Sequence, residues 1–509
     1  NSAFMNMLKK EENFKYRSTV KNTIAFDPQI LKRYVNFMNN PDEETAVAQF
    51  GKGDKYFGVC TLMITMPGLP MFGHGQIEGF EEKYGMEYMR SYRDESPDQY
   101  LIDRHNHEIF PLLKKRYLFA GVEDFLFYDV WNNGSVNENV FAYSNRCGHE
   151  YTLVFYNNKY ERAAGWIKQS CEYAVKTGSG ENDKKLVSRS LSEGLGLNAQ
   201  AGSFVIFYEQ RSAKWYIRRS KDICEHGMFI ALNGFETQVF MNIEQKKDSD
   251  GKLEELCNFL NGSGTPDLKI AWQELHFKEI YEKFGALLDE TVKFFEENKK
   301  PSSSELKLKL EAPLREFYKT AEKFAPAKKK IKLPAIKLAP VQKKDSSLRL
   351  KKQILILLEP LSKTGLCLNW NLQRKIAEKI EGSYSFFEKT FIFKSAKIDE
   401  LSLAKLLVSS EYSKSLTGTN EFDGVKWFNK EMMENALKEA EEILLEGTSK
   451  ALTEKIKKIF KNLDSAQKKS EYKCENFLKT FAPKKKKTAK ASKKDEKSVK
   501  TKKKTAKKE

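Results

Sequence analysis

Two short polar stretches carry side chains able to bind or react with a ligand, and each follows an apolar run. The first is Asn39–Glu43; the second is Pro67–Gln76, which is rich in glycine. An apolar segment of helical length separates them. The order is therefore strand, polar tip, helix, strand, polar tip. This order is typical of β/α barrels, where chemistry takes place at the carboxyl ends of parallel strands. Asp42, in the first tip, is the strongest candidate for a reactive side chain.

These stretches resemble the last two strand ends of α-amylase-type (β/α)8 glycoside hydrolases. Phe37–Asp42 is similar to the family's F-x-x-N-H-D motif at the end of strand seven. Pro67–Gln76 is similar to its P-G-x-P-x-x-x-x-G-(D/Q)-E motif at strand eight. Pro41 stands where the family has a histidine, so that side chain cannot make the histidine's hydrogen bond to the sugar. The resemblance implies that residues 1–120 are the last strands and helices of such a barrel.

The resemblance also implies a catalytic role for Asp42. Glycoside hydrolysis needs a carboxylate pair; Asp42 matches a third carboxylate of the family, which grips sugar hydroxyls as the ring distorts. The nucleophile and general acid belong to strands four and five, which would precede Asn1. Because no stretch of this chain matches their motifs, and because it does not start with Met, we expect a catalytically incomplete C-terminal fragment. Two alternatives stay open: Asp42 is a helix N-cap, or Asn40 forms a turn instead of supporting the carboxylate.

Four side chains near the two tips are candidates for substrate binding: Asn40, Phe72, His74 and Gln76. His74 and Gln76 follow the second strand and can face a sugar subsite. Phe72 or Tyr84 can stack on a sugar ring. Packing within the loop would account for these residues equally well.

No metal site and no cofactor is expected. His105 and His107 stand two residues apart in a predicted helix and point to different faces, so we expect them at the surface, together with His149, His226 and His276. The seven cysteines are scattered and form no C-x-x-C pair. That usage is typical of reduced thiols in a cytoplasmic protein.

The net charge of +18 is concentrated in two segments. Pro483–Glu509 holds 14 lysines and 3 acidic residues, and Lys328–Lys344 holds 7 lysines and no acidic residue, which accounts for the whole excess. Nucleic acid is therefore an unexpected partner, except non-specifically through the Lys-rich tail.

The apolar run 56–72 contains Pro67 and is shorter than the roughly 20 residues of a membrane span. It is predicted to be a buried helix leading into a buried strand.

The remaining pattern predicts an antiparallel β domain followed by helices. Short β-type runs separated by Asn, Gly and Ser alternate through the middle of the chain. The predicted order is the C-terminal portion of a (β/α)8 catalytic barrel (1–120), an antiparallel β-sandwich-like domain (121–245), a helical region (246–324), a Lys/Pro-rich linker (325–347), a helical domain (348–482) and a disordered Lys-rich tail (483–509).

Some individual elements are also predicted from the pattern. They are the end of a strand at Asn1–Leu8, a helix over Glu43–Met66 interrupted near Gly51, a helix over Asp103–Phe119 and a helix that opens at Trp427 and Phe428.

Two functions from different classes fit these observations. The first is the C-terminal part of an α-amylase-like glycoside hydrolase or glycosyl-transferring enzyme that acts on α-glucans or related oligosaccharides. The second is a non-catalytic protein that binds polymers through its β domain and basic tail.

Overall fold

The computed structural model describes residues 2–85, 89–180, 183–298, 301–326, 330–340 and 346–482. The chain divides into two units, Asn1–His276 and Phe277–Glu509. The division falls inside the predicted helical region 246–324. The predicted disordered tail, 483–509, lies outside the described residues.

Unit 1 opens with helices around a parallel strand pair. Its elements up to residue 120 are α1 (Ser2–Lys9), α2 (Asn13–Phe26), a 3-10 helix (Pro28–Arg33), β1 (Val35–Phe37), α3 (Ala46–Phe50), α4 (Asp54–Thr65), β2 (Leu69–Met71), α5 (Gln99–Arg104), a π-helical turn (His105–Ile109), α6 (Phe110–Leu113) and α7 (Arg116–Ala120). β1 and β2 pair in parallel. They are only partly buried, and Leu69 is 63% exposed, so the expectation of buried strands is wrong. A single parallel pair occurs in many folds, so the barrel origin of residues 1–120 stays a prediction.

Two of the predicted elements in this part differ from the structure. The strand end expected at residues 1–8 is helix α1, whose buried residues Phe4, Met5 and Leu8 have the spacing of one helix face. The single helix expected over Asp103–Phe119 is broken into α5, the π-helical turn, α6 and α7.

The interruption expected near Gly51 is present and separates α3 from α4. Gly51 has a φ of +72°, and its N–H donates to the Val47 carbonyl. Glycine adopts positive φ without steric cost, which ends the helix at this point. The predicted buried helix is therefore α4 alone.

The rest of unit 1 is mainly antiparallel sheet. Its strands are β3 (Leu126–Tyr128), β4 (Trp131–Asn132), β5 (Ser135–Val136), β6 (Val140–Cys147), β7 (Glu150–Asn157), β8 (Ala163–Ile167), β9 (Tyr173–Lys176), β10 (Lys184–Val187), β11 (Ser203–Glu209), β12 (Lys214–Arg219), β13 (Met228–Leu232) and β14 (Thr237–Lys247). Its helices are α8 (Leu191–Gly194), α9 (Ser220–His226), α10 (Lys252–Leu260) and α11 (Leu268–His276).

These strands form three antiparallel sheets, which confirms the predicted antiparallel strands. The orders are β12-β11-β14-β7-β6-β3, β13-β8-β4-β5 and β10-β9. In the six-stranded sheet, the outer strands β12 and β3 each form an isolated bridge to a loop residue, Thr265 and Ser170 respectively.

Helix α4 joins the strand pair to the six-stranded sheet. Its residues from Tyr56 to Thr65 are all buried. Gly58 lies against the Tyr156 ring of β7, and a Cβ at Gly58 would overlap that ring. A glycine is therefore required for the close approach. One hydrophobic core runs from α1 and α4 into the sheet.

A buried arginine fixes α2 to the β-rich part of unit 1. Arg17 is 0% exposed. Its guanidinium donates to Glu138 and to the Val140 carbonyl, each at 2.7 Å, and also to Asp129. Lys21 adds a 3.0 Å ion pair to Asp129. A buried charge is tolerated only when it is paired and hydrogen-bonded, so this cluster sets the position of α2.

Unit 2 is mainly helical. Its elements are α12 (Lys278–Glu297), α13 (Ser303–Phe324), α14 (Ser346–Leu357), α15 (Glu359–Ser362), α16 (Leu366–Asn369), α17 (Leu372–Ala377), α18 (Tyr384–Ser395), α19 (Glu400–Ser409), α20 (Ser413–Thr417), β15 (Asn420–Phe422), β16 (Val425–Trp427), α21 (Lys430–Leu445), α22 (Lys450–Lys469) and α23 (Cys474–Lys479). The predicted linker, 325–347, has no regular secondary structure at 330–340, but its last two residues already belong to α14.

The helix start predicted at Trp427 and Phe428 is wrong. Trp427 ends β16, and α21 begins at Lys430 with Asn429 as its N-cap. The hairpin turns at Asp423-Gly424, both with positive φ. Asp-Gly is the sequence that this tight turn favours, and its presence in the sequence was the missed signal.

The seven cysteines are free thiols. Among the residues that the structure describes, no helix combines the length and apolar character needed to cross a membrane.

Candidate functional site

The two polar tips meet at one edge of the β1–β2 pair. Because the strands run parallel and in register, residues 38–40 and 72–74 leave the sheet on the same side. Asn39 lies against Gly73, where a Cβ would overlap the Asn39 amide. Asn39 is 5% exposed, and its Oδ1 has no hydrogen-bond partner among the described residues. The two motifs are thus in direct contact.

Asp42 is exposed at this edge. Of its two predicted roles, sugar-binding carboxylate and helix N-cap, the structure tests the second. The backbone N–H groups of Asp42 and Glu43 both donate to Asn40 Oδ1 at 3.0 Å, so Asn40 forms the turn. Thr45 caps α3 by accepting from the Ala48 N–H. The helix-cap alternative for Asp42 is therefore wrong. Within the described residues, no hydrogen bond or ion pair engages the Asp42 carboxylate.

Gln76 is 2% exposed and acts as a brace between the strand ends. Its Oε1 accepts from the Gly73 N–H at 3.0 Å, and its Nε2 lies 3.3 Å from Met38 Sδ. The Tyr56 hydroxyl donates to the Gln76 carbonyl at 2.6 Å. Both amide atoms contact the protein, so in this conformation Gln76 positions the loop and does not present its amide to a ligand. Phe72 is partly buried and packs against the hydrophobic core.

A cavity of ≈ 220 Å³ opens in the loop that follows β2. The ring of His74, which is exposed, lies 4.9 Å from that of Tyr84 and 6.2 Å from that of Phe80. This volume is below the ~300–1,000 Å³ of sites for drug-sized ligands, and it suits a single small ring. The lining residues are His74, Phe80, Glu82, Tyr84, Ser91, Arg93, Asp94 and Glu95.

Two carboxylates hold the arms of this loop together. Glu82 accepts from the N–H groups of Tyr92 at 2.6 Å and Arg93 at 2.8 Å. Glu95 accepts from the N–H groups of Glu81 at 2.8 Å and Glu82 at 2.9 Å. Burial alone would raise the pKa of Glu95, but these backbone donors and nearby cations lower it. Glu82 and Glu95 therefore form a reciprocal clamp between the two arms of the loop.

The clamped loop is tied to the Asp42 tip. Lys83 Nζ donates to the Asp42 carbonyl at 3.0 Å. Lys83 lies between the cavity-lining residues Glu82 and Tyr84, so this hydrogen bond joins the cavity loop to the backbone of the Asp42 tip. Neither motif contains Lys83, Glu82 or Glu95, so the sequence patterns did not identify these residues.

His105, expected at the surface, is 0% exposed. It lies in the π-helical turn, with Nε2 3.2 Å from the Tyr56 hydroxyl and Nδ1 2.8 Å from the Leu101 carbonyl. Burial lowers the pKa of His105 by disfavouring its charged form. The pair Tyr56–His105 supports Gln76 from below, and no local pattern marks a contact between residues so far apart in the chain.

The other histidines outside the cavity, His107, His149, His226 and His276, are exposed as expected. Across the described part of the chain, no group of three His, Cys, Asp or Glu residues is arranged to hold a metal ion.

No protein-family model and no curated protein matches this sequence. Solved structures of α-amylase-family glycoside hydrolases and transferases resemble part of the chain. The α-amylase of Geobacillus thermoleovorans, solved with acarbose, is 12% identical and aligns over 42% of this chain and 40% of its own, with a TM-score of 0.29. The noncanonic maltogenic α-amylase AmyB of Thermotoga neapolitana is 13% identical over 46% of this chain and 47% of its own, with a TM-score of 0.27.

The α-amylase of H. orenii is 13% identical over 47% of both chains, also with a TM-score of 0.27. This chain thus spans less than half the length of these structures.

Proposed function

We propose that this chain is the C-terminal part of an α-amylase-like glycoside hydrolase or glycosyl-transferring enzyme, and that it binds α-glucans or related oligosaccharides at the β1–β2 edge. The observation that carries the proposal is the meeting of the two motifs in register. Asn39 touches Gly73, and Lys83 joins the backbone of Asp42 to the loop that holds the aromatic cavity.

The two halves of the site suit the two faces of a sugar. The Asp42 carboxylate accepts hydrogen bonds from hydroxyl groups, and charge-assisted bonds of this kind are the strong ones. The rings of His74 and Tyr84 offer π faces to the apolar C–H face of a pyranose. Pro41, in place of the family's histidine, leaves Asp42 as the main polar contact at this tip.

Under this proposal the chain alone has no glycosidase turnover. One carboxylate cannot both attack the anomeric carbon and protonate the leaving group, since hydrolysis needs a pair of carboxylates. We propose that the nucleophile and the acid are supplied by sequence preceding Asn1. Asp42 then grips the sugar as the ring distorts.

The binding half of the proposal is tested by calorimetric titration of the chain with maltoheptaose. Tyr84→Ala removes a stacking face and should weaken binding about tenfold, in line with the ~1–1.5 kcal/mol of an aromatic contact. Tyr160→Ala, which truncates a tyrosine that is 83% exposed outside the site, should bind as the wild type does. Equal affinities for all three proteins would refute the sugar site.

The catalytic half is tested by Asp42→Asn in the longer parent protein. The amide keeps the shape but loses the charge, so turnover on α-glucan should fall by ~10²–10³, the cost of one transition-state contact. Near wild-type turnover would show that Asp42 has no part in catalysis.

A further inference from the structure

Three exposed aromatic side chains form a row across the four-stranded sheet of unit 1, far along the chain from the cavity. Phe229 on β13 is paired with Trp166 on β8, and Trp166 is paired with Trp131 on β4. They are 51%, 47% and 48% exposed, respectively. We call these three residues the aromatic row. Single exposed aromatics are common on soluble proteins, but a contiguous set on one face marks a binding surface.

The row is built into the strands and is not a by-product of a poorly packed sheet. On β13 the residues alternate strictly, with Met228, Ile230 and Leu232 buried and Phe229 exposed. The inner face is therefore complete without Phe229. On β8, Gly165 lets β4 approach, because a Cβ there would overlap the Trp131 backbone carbonyl. The glycine thereby brings Trp131 beside Trp166.

We propose that the aromatic row is a second carbohydrate-binding surface, which takes a short stretch of an α-linked glucan by stacking. The inference rests on the proposed function for the chemical class of the ligand. Adjacent strands are ~4.8 Å apart, so three strands carry rings over ~10 Å, comparable in length with two sugar rings. Each ring presents the negative face of its π system to the C–H groups of a pyranose.

The geometry of the rings favours a curved glucan over a flat one. The centroids of Trp166 and Phe229 are 5.4 Å apart, and their planes are inclined by 57°. A flat, extended polysaccharide needs coplanar rings. An α-linked chain turns from one sugar to the next, so its successive faces match inclined rings.

The size of the row argues against a protein partner as the occupant. About half of each aromatic side chain is exposed, which amounts to roughly 300 Å² in all. A stable protein interface buries ~800 Å² on each partner. A stacked sugar needs far less surface, since each ring covers one aromatic face.

The test is affinity electrophoresis of the full chain through gels that contain glycogen, with each variant checked by its melting transition. Trp166→Thr keeps a strand-forming residue and should weaken retardation about tenfold. Phe229→Thr should weaken it less, as an end member of the row. Phe14→Ala removes a ring that is 64% exposed on α2, and it should migrate as the wild type does.

The outcomes separate this inference from the proposed function. Tyr84→Ala should weaken maltoheptaose binding about tenfold but keep most of the retardation on glycogen, and Trp166→Thr should show the converse. Retardation unchanged in folded Trp166→Thr and Phe229→Thr proteins would overturn the inference and leave the cavity untouched. Loss of a wild-type dimer in Trp166→Thr, with retardation unchanged, would instead show an interface between two copies.

If Trp166→Thr does not fold, the inference can still be tested on the wild-type protein. Quenching of tryptophan fluorescence by acrylamide should decrease when glycogen shields Trp131 and Trp166. Unchanged quenching at glycogen concentrations that saturate retardation would show that the polymer binds elsewhere, and it would refute the proposal that the aromatic row binds glucan.

Discussion

The two units use helices in opposite ways. In unit 1, α4 is buried on nearly every side, and Gly58 is required there because the Tyr156 ring occupies the space of a Cβ. In unit 2, α12 buries one face, and its Gly285 has open space where a Cβ would stand. Gly58 of α4 is therefore required by a distant contact, whereas the buried residues of α12 follow local helical periodicity.

The same contrast holds for charge. Arg17 in unit 1 is 0% exposed and has three partners from elsewhere in the chain. Arg315 in unit 2 is exposed, and its ion pair with Glu311 lies one turn away on its own helix. A buried cluster holds separate segments together, but a surface pair of this kind adds little.

The largest difference between the units is expected on removal of these arginines. Arg17→Met leaves the Asp129 and Glu138 carboxylates without their buried partner and should destabilise unit 1 by about 3–5 kcal/mol. Hydrogen exchange read by mass spectrometry will report the loss in peptides of α2 and β6. The matched change Arg315→Met should leave exchange in α13 unaltered; a comparable loss in both units would abolish the contrast.

A smaller effect of opposite sign in the two units is expected from the helix glycines. Gly58→Ala forces the Tyr156 ring to move, and overpacking of this kind costs about 1–3 kcal/mol. Gly285→Ala meets no atom and should stabilise α12 by about 0.5–1 kcal/mol through helix propensity. Exchange rates in α4 and α12 measure both. Stabilisation by Gly58→Ala would mean that α4 and β7 have room to separate.

The smallest effect is a dependence on pH that only unit 1 should show, because the sequence after His276 contains no histidine. Burial lowers the pKa of His105 in the folded chain, so the unfolded chain binds the proton first as the pH falls. The contribution of His105 to the free energy of unfolding is therefore complete above the pKa of the unfolded chain, about 6.5. It is lost as the pH falls toward the lower pKa of the folded chain.

Exchange in α4 and α5 should accordingly rise between about pH 7 and 5.5, after correction for intrinsic rates, while exchange in α12 should not. His105→Gln removes the titrating group and should flatten that rise. A rise that survives His105→Gln would assign the dependence to another group.

Local sequence patterns predicted those parts of the fold that rest on local physics. Short β-type runs separated by turn residues identified strands such as β7 and β11, and amphipathic patterns identified the helical character of unit 2. The short strand β10, whose sequence is Lys-Lys-Leu-Val, carries no alternation of this kind and was missed. The burial of His105 in the π-helical turn was missed because its contact with Tyr56 joins residues 49 positions apart in the chain.

The candidate site also has features that local sequence predicts and features that depend on distant contacts. The meeting of the two tips was predictable, because parallel strands deliver their ends to one edge. The burial of Gln76 was not, because it depends on contacts with Met38 and Tyr56. The role of Asn40 as a turn former was one of two readings, and only the distances to the Asp42 and Glu43 N–H groups decided between them.

The bridges at the two outer strands of the six-stranded sheet bear on aggregation. Trp215 of β12 exchanges hydrogen bonds of 2.7 and 2.9 Å with Thr265, and the Cys171 N–H donates to the Phe127 carbonyl of β3 at 2.7 Å. Unpaired strand edges recruit foreign strands, and short edge strands, charged side chains and covering loops prevent this. β3 is three residues long, and β12 carries Lys214, Arg218 and Arg219. The sheet is therefore protected at both of its edges against growth by strand addition.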